Sequence, residues 1–157
     1  GILWLTENLD PAQEHFLSNI IKRKLFTAID SESTKAYTKK ETYILYLPEH
    51  DLHDLGLLFY YYIIRKRGYK TYFLGQCVPI DSLLKVIEST SASVLVSSWI
   101  APISDEEILK HVDQIKKLHP ETKIVLTGGQ LSKLKQSDLY TTIPSEEAFN
   151  QFVKQIS

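Results

Sequence analysis

The 157-residue sequence predicts an α/β fold with a five-stranded parallel sheet in the order 2-1-3-4-5. Three observations carry that prediction. Short apolar runs alternate with helix-length amphipathic runs five times along the chain. Each short run is bounded by proline, glycine or polar turn residues. Hydrophobic residues make up 43% of the chain against 24% charged, enough apolar surface for one packed domain of this length. Strands separated by helices pair in parallel through right-handed crossovers.

The elements follow in order. Residues 1 to 9 hold Trp4 and Leu9 and are too few to read alone. Asp10-Pro11 marks a helix start: aspartate caps, proline suits the first turn, and Gln13 stands three residues after the cap. Phe16, Leu17, Ile20, Ile21, Leu25 and Ala28 continue it as an apolar stripe. Ser31 to Lys40 is polar and aperiodic and reads as a linker. Tyr43 to Leu47 is a buried strand stopped by Pro48. Leu55 to Arg65 is a buried helix closed by Gly68. Thr71 to Leu74 is a second strand, and Ile80 to Ile87 a helix with Leu83, Leu84 and Ile87 in register. Ser93 to Trp99 is a third strand. Ser104 to Leu118 opens with a capping box, Ser104 with Glu107, and Pro120 stops it. Lys123 to Thr127 is a fourth strand ending in Gly128-Gly129. A short helix over Leu131 to Lys135, a fifth strand over Tyr140 to Ile143 and a helix over Ser145 to Ile156 complete the chain. This is the flavodoxin-like arrangement, whose ligand crevice lies beyond the carboxyl ends of strands 1, 3 and 4.

Composition excludes several classes. A net charge of −1 gives no basic excess for a nucleic-acid surface. No apolar run reaches the roughly 18 residues of a membrane span. One cysteine, Cys77, excludes a disulfide framework and fits a reducing compartment, the cytoplasm. No methionine is present, so the chain reads as a piece of a longer protein, and its start has no signal-peptide pattern. No G-x-S-x-G, P-loop or Rossmann fingerprint occurs, which leaves hydrolase and nucleotide-binding classes unsupported.

The sharpest constellation is Asp51-Leu52-His53-Asp54-Leu55-Gly56, a D-x-H-x-x-G pattern directly after the first strand. A histidine there can offer one ring nitrogen to a metal while an aspartate two residues earlier holds the other. Gly56 would let a bulky ligand approach. The plain alternative stays open: Asp51 caps the next helix and His53 is solvated in its first turn. Ser97 at the end of strand 3 and Gly128-Gly129 at the end of strand 4 can likewise be a satisfied strand end and a turn. Lys22-Arg23-Lys24 and Arg65-Lys66-Arg67 read as solvated helix ends. Tyr60-Tyr61-Tyr62 reads as packing with hydroxyls at the surface, and His111 and His119 as solvent-facing. His50, His111 and His119 have no zinc spacing with cysteine.

Taken together, D-x-H-x-x-G, a serine with Trp99 two residues on, and G-G resemble the cobalamin-binding signature D-x-H-x-x-G…S-x-L…G-G. The chain has Trp99 where that pattern has leucine. A literal S-x-L over Ser93 to Leu95 lies inside the strand, so Ser97 is preferred. The resemblance implies that His53 becomes the lower axial ligand of cobalt and that Asp51 hydrogen-bonds it. It implies that Ser97 and Gly128-Gly129 line a slot for the displaced nucleotide tail, where a side chain would fill the space. In methionine synthase, which carries this module, a further serine extends the relay. The matching position here is Ile103, beside Ser104.

Upstream, Trp4, nine residues and Glu14-His15 read W-x9-E-H. With Gln13-Glu14-His15-Phe16, Lys22-Arg23-Lys24, Gly75-Gln76, Val78-Pro79 and Gly128-Gly129-Gln130, this resembles the light-sensing, adenosylcobalamin-dependent regulators of the MerR family (the CarH or LitR type). The resemblance implies a bundle remnant over 1–30, a linker over 31–41 and a cobalamin-binding domain over 42–157. Trp4 would pack on the adenosyl group, Glu14 would contact it, and His15 would bind cobalt after photolysis. Read singly, Trp4 is a core or interface residue and Glu14-His15 a solvated first turn. The implied partners are cobalamin, further copies of the chain, and DNA through a helix-turn-helix that would precede Trp4; no membrane is implied. A corrinoid carrier of a methyltransferase system would share His53 but not need W-x9-E-H. A doubly wound interaction module without cobalamin is the third reading. A phosphoacceptor receiver would need an aspartate where Ser97-Ser98 stand.

Overall fold

A computed structural model describes residues 10–135, 137–143 and 145–155. Trp4 lies outside the described residues. The chain runs α1 (Pro11–Ser33), β1 (Thr42–Pro48), α2 (Leu55–Lys66), β2 (Lys70–Val78), α3 (Ile80–Thr90), β3 (Val94–Ser98), α4 (Asp105–Leu118), β4 (Lys123–Thr127), a 3-10 turn (Gly129–Lys133), β5 (Thr141–Ile143) and α5 (Glu146–Gln155). All four strand pairings are parallel and the order is β2-β1-β3-β4-β5, as the alternation of the sequence predicts.

The two sheet faces carry separate cores. On one, Ile44, Tyr46, Leu95, Trp99 and Leu126 meet Leu83 and Ile87 of α3 and Ile108, Val112 and Ile115 of α4. On the other, Tyr43, Leu45, Val94, Val96 and Val125 meet Leu57, Tyr60, Ile63 and Ile64 of α2 and Phe152 of α5. Ile44, Leu45, Tyr46 and Leu47 of β1 have no exposed surface, so this interior strand is covered on both faces, which explains its unbroken apolar run. Each such side chain contributes on the order of 1.5–3 kcal/mol by burial.

Two boundaries differ from the sequence reading. β2 continues past Leu74 to Val78. Gly75 at φ +78° and Cys77 at φ +52° take up the two register shifts against β1, so the strand bends instead of ending. α1 runs to Ser33, three residues into the segment read as linker.

Helix α1 begins as expected: the Asp10 carboxylate accepts from the Ala12 and Gln13 N–H groups and the Gln13 side chain accepts from the Asp10 N–H. Its apolar stripe behaves differently. Phe16, Leu17 and Ile21 are exposed, and the inward line is Leu25, Ile29 and Glu32, with Glu14 and Ser18 half-buried along the same side. The helix packs beside α2 and parallel to it. Lys22 Nζ pairs with Asp54 Oδ1 at 2.5 Å, and Arg65 Nη2 donates to the carbonyls of Ser33 and Lys35 at 3.3 and 2.8 Å. Eleven residues separate the two anchors on each helix, so the helices run in step. One residue of each basic cluster departs from a solvated end: Lys22 is mid-helix and paired, and Arg65 is buried, with its guanidinium over the Tyr37 ring, while Arg23, Lys24 and Lys66 are exposed.

Candidate functional site

Because α2 starts at the carboxyl end of β1, the part of α1 before Lys22 extends past the carboxyl edge of the sheet. Twelve residues, Asp10 to Ile21, lie before Lys22, an overhang of about 18 Å at helical rise. Glu14 and His15 are on that overhang. Glu14 accepts from the Ser18 hydroxyl and faces His15 Nδ1 at 3.2 Å, and His15 is exposed.

Beneath it lies the loop after β1. Asp51 is 2% exposed. Its Oδ1 accepts from the His53 backbone N–H and stands 3.0 Å from His53 Nδ1, while Oδ2 accepts from the Ile100 and Ala101 N–H groups at 2.8 and 3.0 Å. Burial alone would raise the Asp51 carboxyl. The hydrogen bonds from Ala101, Ile100 and His53 outweigh it and hold the group below the usual carboxylate range. Asp51 thus does not cap α2; it joins the loop after β1 to the loop after β3. The His53 side chain is 62% exposed, with Nδ1 engaged and Nε2 as the other ring nitrogen. Gln76 Nε2 donates to the Leu52 carbonyl at 2.8 Å, which braces the loop from β2.

Beyond β4, Tyr60, Thr127, Gly128, Gly129, Ile143, Ser145 and Phe149 line a cavity of about 360 Å³ between the sheet, α2 and α5. Two of its walls are aromatic, with Tyr60 and Phe149 edge to face. Gly129 and Gly56 have nothing within 4 Å of an added Cβ, so neither is glycine to suit the protein's own packing. Gly128 is: at φ +115° its Cβ would strike the Trp99 carbonyl. The close approach of the Trp99 main chain, rather than the slot, accounts for that glycine.

The two serines separate. Ser97 Oγ accepts from Trp99 Nε1 at 2.8 Å, on the α3/α4 face with Leu95 and Trp99. Alternation puts Ser98 with Val94 and Val96 on the α2/α5 face, opposite Thr127 in the β3–β4 register and next to the cavity. Ser97 faces away from that cavity. Ser98-Trp99-Ile100 also reads as S-x-I, closer to S-x-L than the serine before it, and strand parity was the available signal. On the α3/α4 face, Trp99 is 2% exposed and meets the His111 ring edge to face.

Three other placements differ from expectation. His111 turns inward, its Nε2 2.8 Å from the Tyr46 hydroxyl, and burial pushes it down to about 4. His119 is half-buried at the end of α4. The Tyr60 hydroxyl is buried against Thr127 Oγ1 at 3.3 Å. Among the described residues no cluster of three or more His, Cys, Asp or Glu is placed to hold a metal alone, and no helix is long and apolar enough to cross a membrane.

The fold is a doubly wound α/β domain with its candidate site beyond the carboxyl edge of the sheet, and solved corrinoid proteins are similar to it. The monomethylamine corrinoid protein of Methanosarcina barkeri superposes with a TM-score of 0.72 at 15% identity, over 99% of this chain and 76% of that one. The methanol:cobalamin methyltransferase complex MtaBC of the same organism gives 0.60 at 16%, over 98% and 60%. By sequence, the chain is 23% identical over 137 residues to the HTH-type transcriptional repressor CarH of Myxococcus xanthus, which covers 87% of this chain. The resemblance to that type read from the motifs is thereby borne out. The chain spans 45% of that relative's length. No family model matches the chain.

Proposed function

We propose that this chain is a cobalamin-binding sensor domain of a CarH-type transcriptional regulator, with His53 Nε2 as the lower ligand of cobalt. One observation carries the reading: a buried, hydrogen-bonded Asp51 holds Nδ1 of an exposed histidine at the carboxyl edge of the sheet. That pairing orients the ring and, with Nδ1–H turned to Asp51, leaves the Nε2 lone pair for a ligand. The donor set fits cobalt in a corrin, which brings four nitrogens of its own and needs a single protein imidazole. The cavity beside Gly129 has aromatic walls suited to a flat heterocyclic base, and Ser98, rather than Ser97, is the serine we assign to it. When bound, adenosylcobalamin supplies a cobalt–carbon bond that light can break.

The chain's own residues do the rest. Asp51 orients His53. Gly56 and Gly129 leave room. The α1 overhang brings Glu14 and His15 to the side beyond the loop, where Glu14 would contact the upper group and His15 would serve as a ligand after its loss. Trp4 belongs to the same proposal. Signalling would pass through a change in self-association, in the cytoplasm, to a DNA-binding segment outside this chain; the domain itself is a binding module and not an enzyme.

The test is an absorbance spectrum after mixing with adenosylcobalamin in darkness and desalting, repeated after green illumination. Retained colour that shifts to a bis-histidine spectrum in light is the expected result. Retained colour without the shift favours the second reading, a corrinoid carrier, which the likeness to corrinoid proteins across α1 as well as the sheet supports. A colourless protein overturns both.

A further inference from the structure

We infer that the Lys22–Asp54 ion pair is a positioning contact that couples the His53 loop to the overhanging half of α1. Asp54 occupies the N-cap of α2, where an aspartate normally accepts from the first free N–H groups. Its side chain makes no capping bond. It reaches across to Lys22 of the neighbouring helix instead, at 2.5 Å, with the two side chains only 26% and 15% exposed. In a pair this far withdrawn from water, removing either partner leaves the other charge uncompensated, which ties the two helices more firmly than an open surface pair would.

Its place matters more than its strength. Among the described residues Lys22 is the last charged anchor before the overhang, since the other, Arg65 on the Ser33 and Lys35 carbonyls, is three helical turns below. Among the described residues α1 is fully buried only on the lower side, at Ile29 and Glu32, whereas Glu14, Ser18 and Ile20 above Lys22 are no more than half-buried. Asp54 is covalently next to His53, and its N–H donates to the Leu52 carbonyl within the same loop. Any pull on the His53 ring therefore moves Asp54, and Asp54 moves the point from which Glu14 and His15 are held. In the reverse direction, a shift of α1 tugs on the loop that Asp51 fixes. The pair is a mechanical link between the two sides of the proposed binding space, and only the ligand-dependent half of this inference rests on the cobalamin reading.

Hydrogen exchange tests it on the whole chain in two arms. Without ligand, Lys22→Met and Asp54→Asn should each speed exchange over residues 11–22 by roughly threefold to tenfold and leave 25–33 unchanged. The reversed pair, K22D with D54K, should restore protection. Unchanged exchange over 11–22 in both single variants overturns the inference, as does failure of the reversed pair to restore it while 25–33 stay protected. With hydroxocobalamin, wild type should show altered exchange over 11–22, and Lys22→Met should bind with the same spectrum but without that change. An equal response in Lys22→Met overturns the coupling. A wild type that retains no colour overturns the cobalamin reading and leaves the first arm to decide the ion pair.

Discussion

The Asp51 carboxylate serves two loops at once: Oδ1 holds the His53 ring 3.0 Å away, and Oδ2 accepts from the Ile100 and Ala101 N–H groups. The histidine that would bind a ligand is thus tied to the end of β3 through one buried side chain. The two residues should separate in experiment. His53→Ala removes an exposed ring and should change stability by less than about 0.5 kcal/mol, while abolishing the spectrum of a histidine-ligated cobalamin. Asp51→Ala leaves the backbone N–H groups of His53, Ile100 and Ala101 without their acceptor and should cost about 2–4 kcal/mol. Urea denaturation beside cofactor titration checks both; a His53→Ala protein with a wild-type bound spectrum removes His53 as the ligand.

The inward His111 makes stability pH-dependent. Its folded value, pushed down to about 4 by burial, lies below the unfolded value near 6.5, so the unfolded chain binds the proton more readily. The stability this group contributes is complete above about pH 6.5 and is lost as pH falls towards 4, by at most about 3 kcal/mol. The urea midpoint of wild type should fall between pH 7 and 5. In His111→Phe the slope over that window should flatten, and an unchanged slope would assign it to other groups.

The strand order was legible because five apolar runs alternate with five helical ones, and β1 covered on both faces needs no polar alternation. His111 was legible too, had spacing been followed: it lies three residues after Ile108 and four before Ile115, on the buried stripe of α4. The D-x-H-x-x-G loop and the Gly129 opening likewise stand in the sequence as motifs. What local pattern could not supply was tertiary. The bend of β2 at Gly75 and Cys77 depends on its register against β1, and the pairing of Lys22 with Asp54 and the burial of Arg65 against Tyr37 depend on where α1 lies against α2. Apolar residues on α1 pointed to a packed stripe, yet Phe16 is 66% exposed, because the overhang extends beyond the sheet that would cover it.

The adjacent glycines should respond oppositely. Gly128→Ala adds a Cβ against the Trp99 carbonyl at a positive φ and should destabilise by about 2 kcal/mol or more. Gly129→Ala meets nothing within 4 Å and should leave the thermal midpoint within a degree or two, since surface changes away from packing stay near ±0.5 kcal/mol. If the cavity takes the base of a bound cofactor, Gly129→Ala should still weaken binding. Equal midpoints for the two variants would contradict the Trp99 contact.

Ser97 and Ser98 give the sharpest test of which face receives a ligand. Ser97 is 1% exposed and accepts from Trp99 Nε1; Ser97→Val strands a buried N–H, at about 1–3 kcal/mol, and adds volume to a closed position, which costs further stability. Because that face holds Trp99, Tyr46 and His111 and not the Gly129 cavity, the variant should bind cofactor with an unaltered spectrum once folded. Ser98, on the α2/α5 face beside Thr127 and 3% exposed, should differ in the ligand arm: Ser98→Val also costs stability by overpacking, and it alone should show a clear loss of cofactor affinity. The deciding measurement is the dissociation constant of each variant by spectral titration, under conditions where both are folded by circular dichroism. Loss of affinity in Ser97→Val with Ser98→Val unaffected would move the binding face to the α3/α4 side, against the aromatic cavity at Gly129.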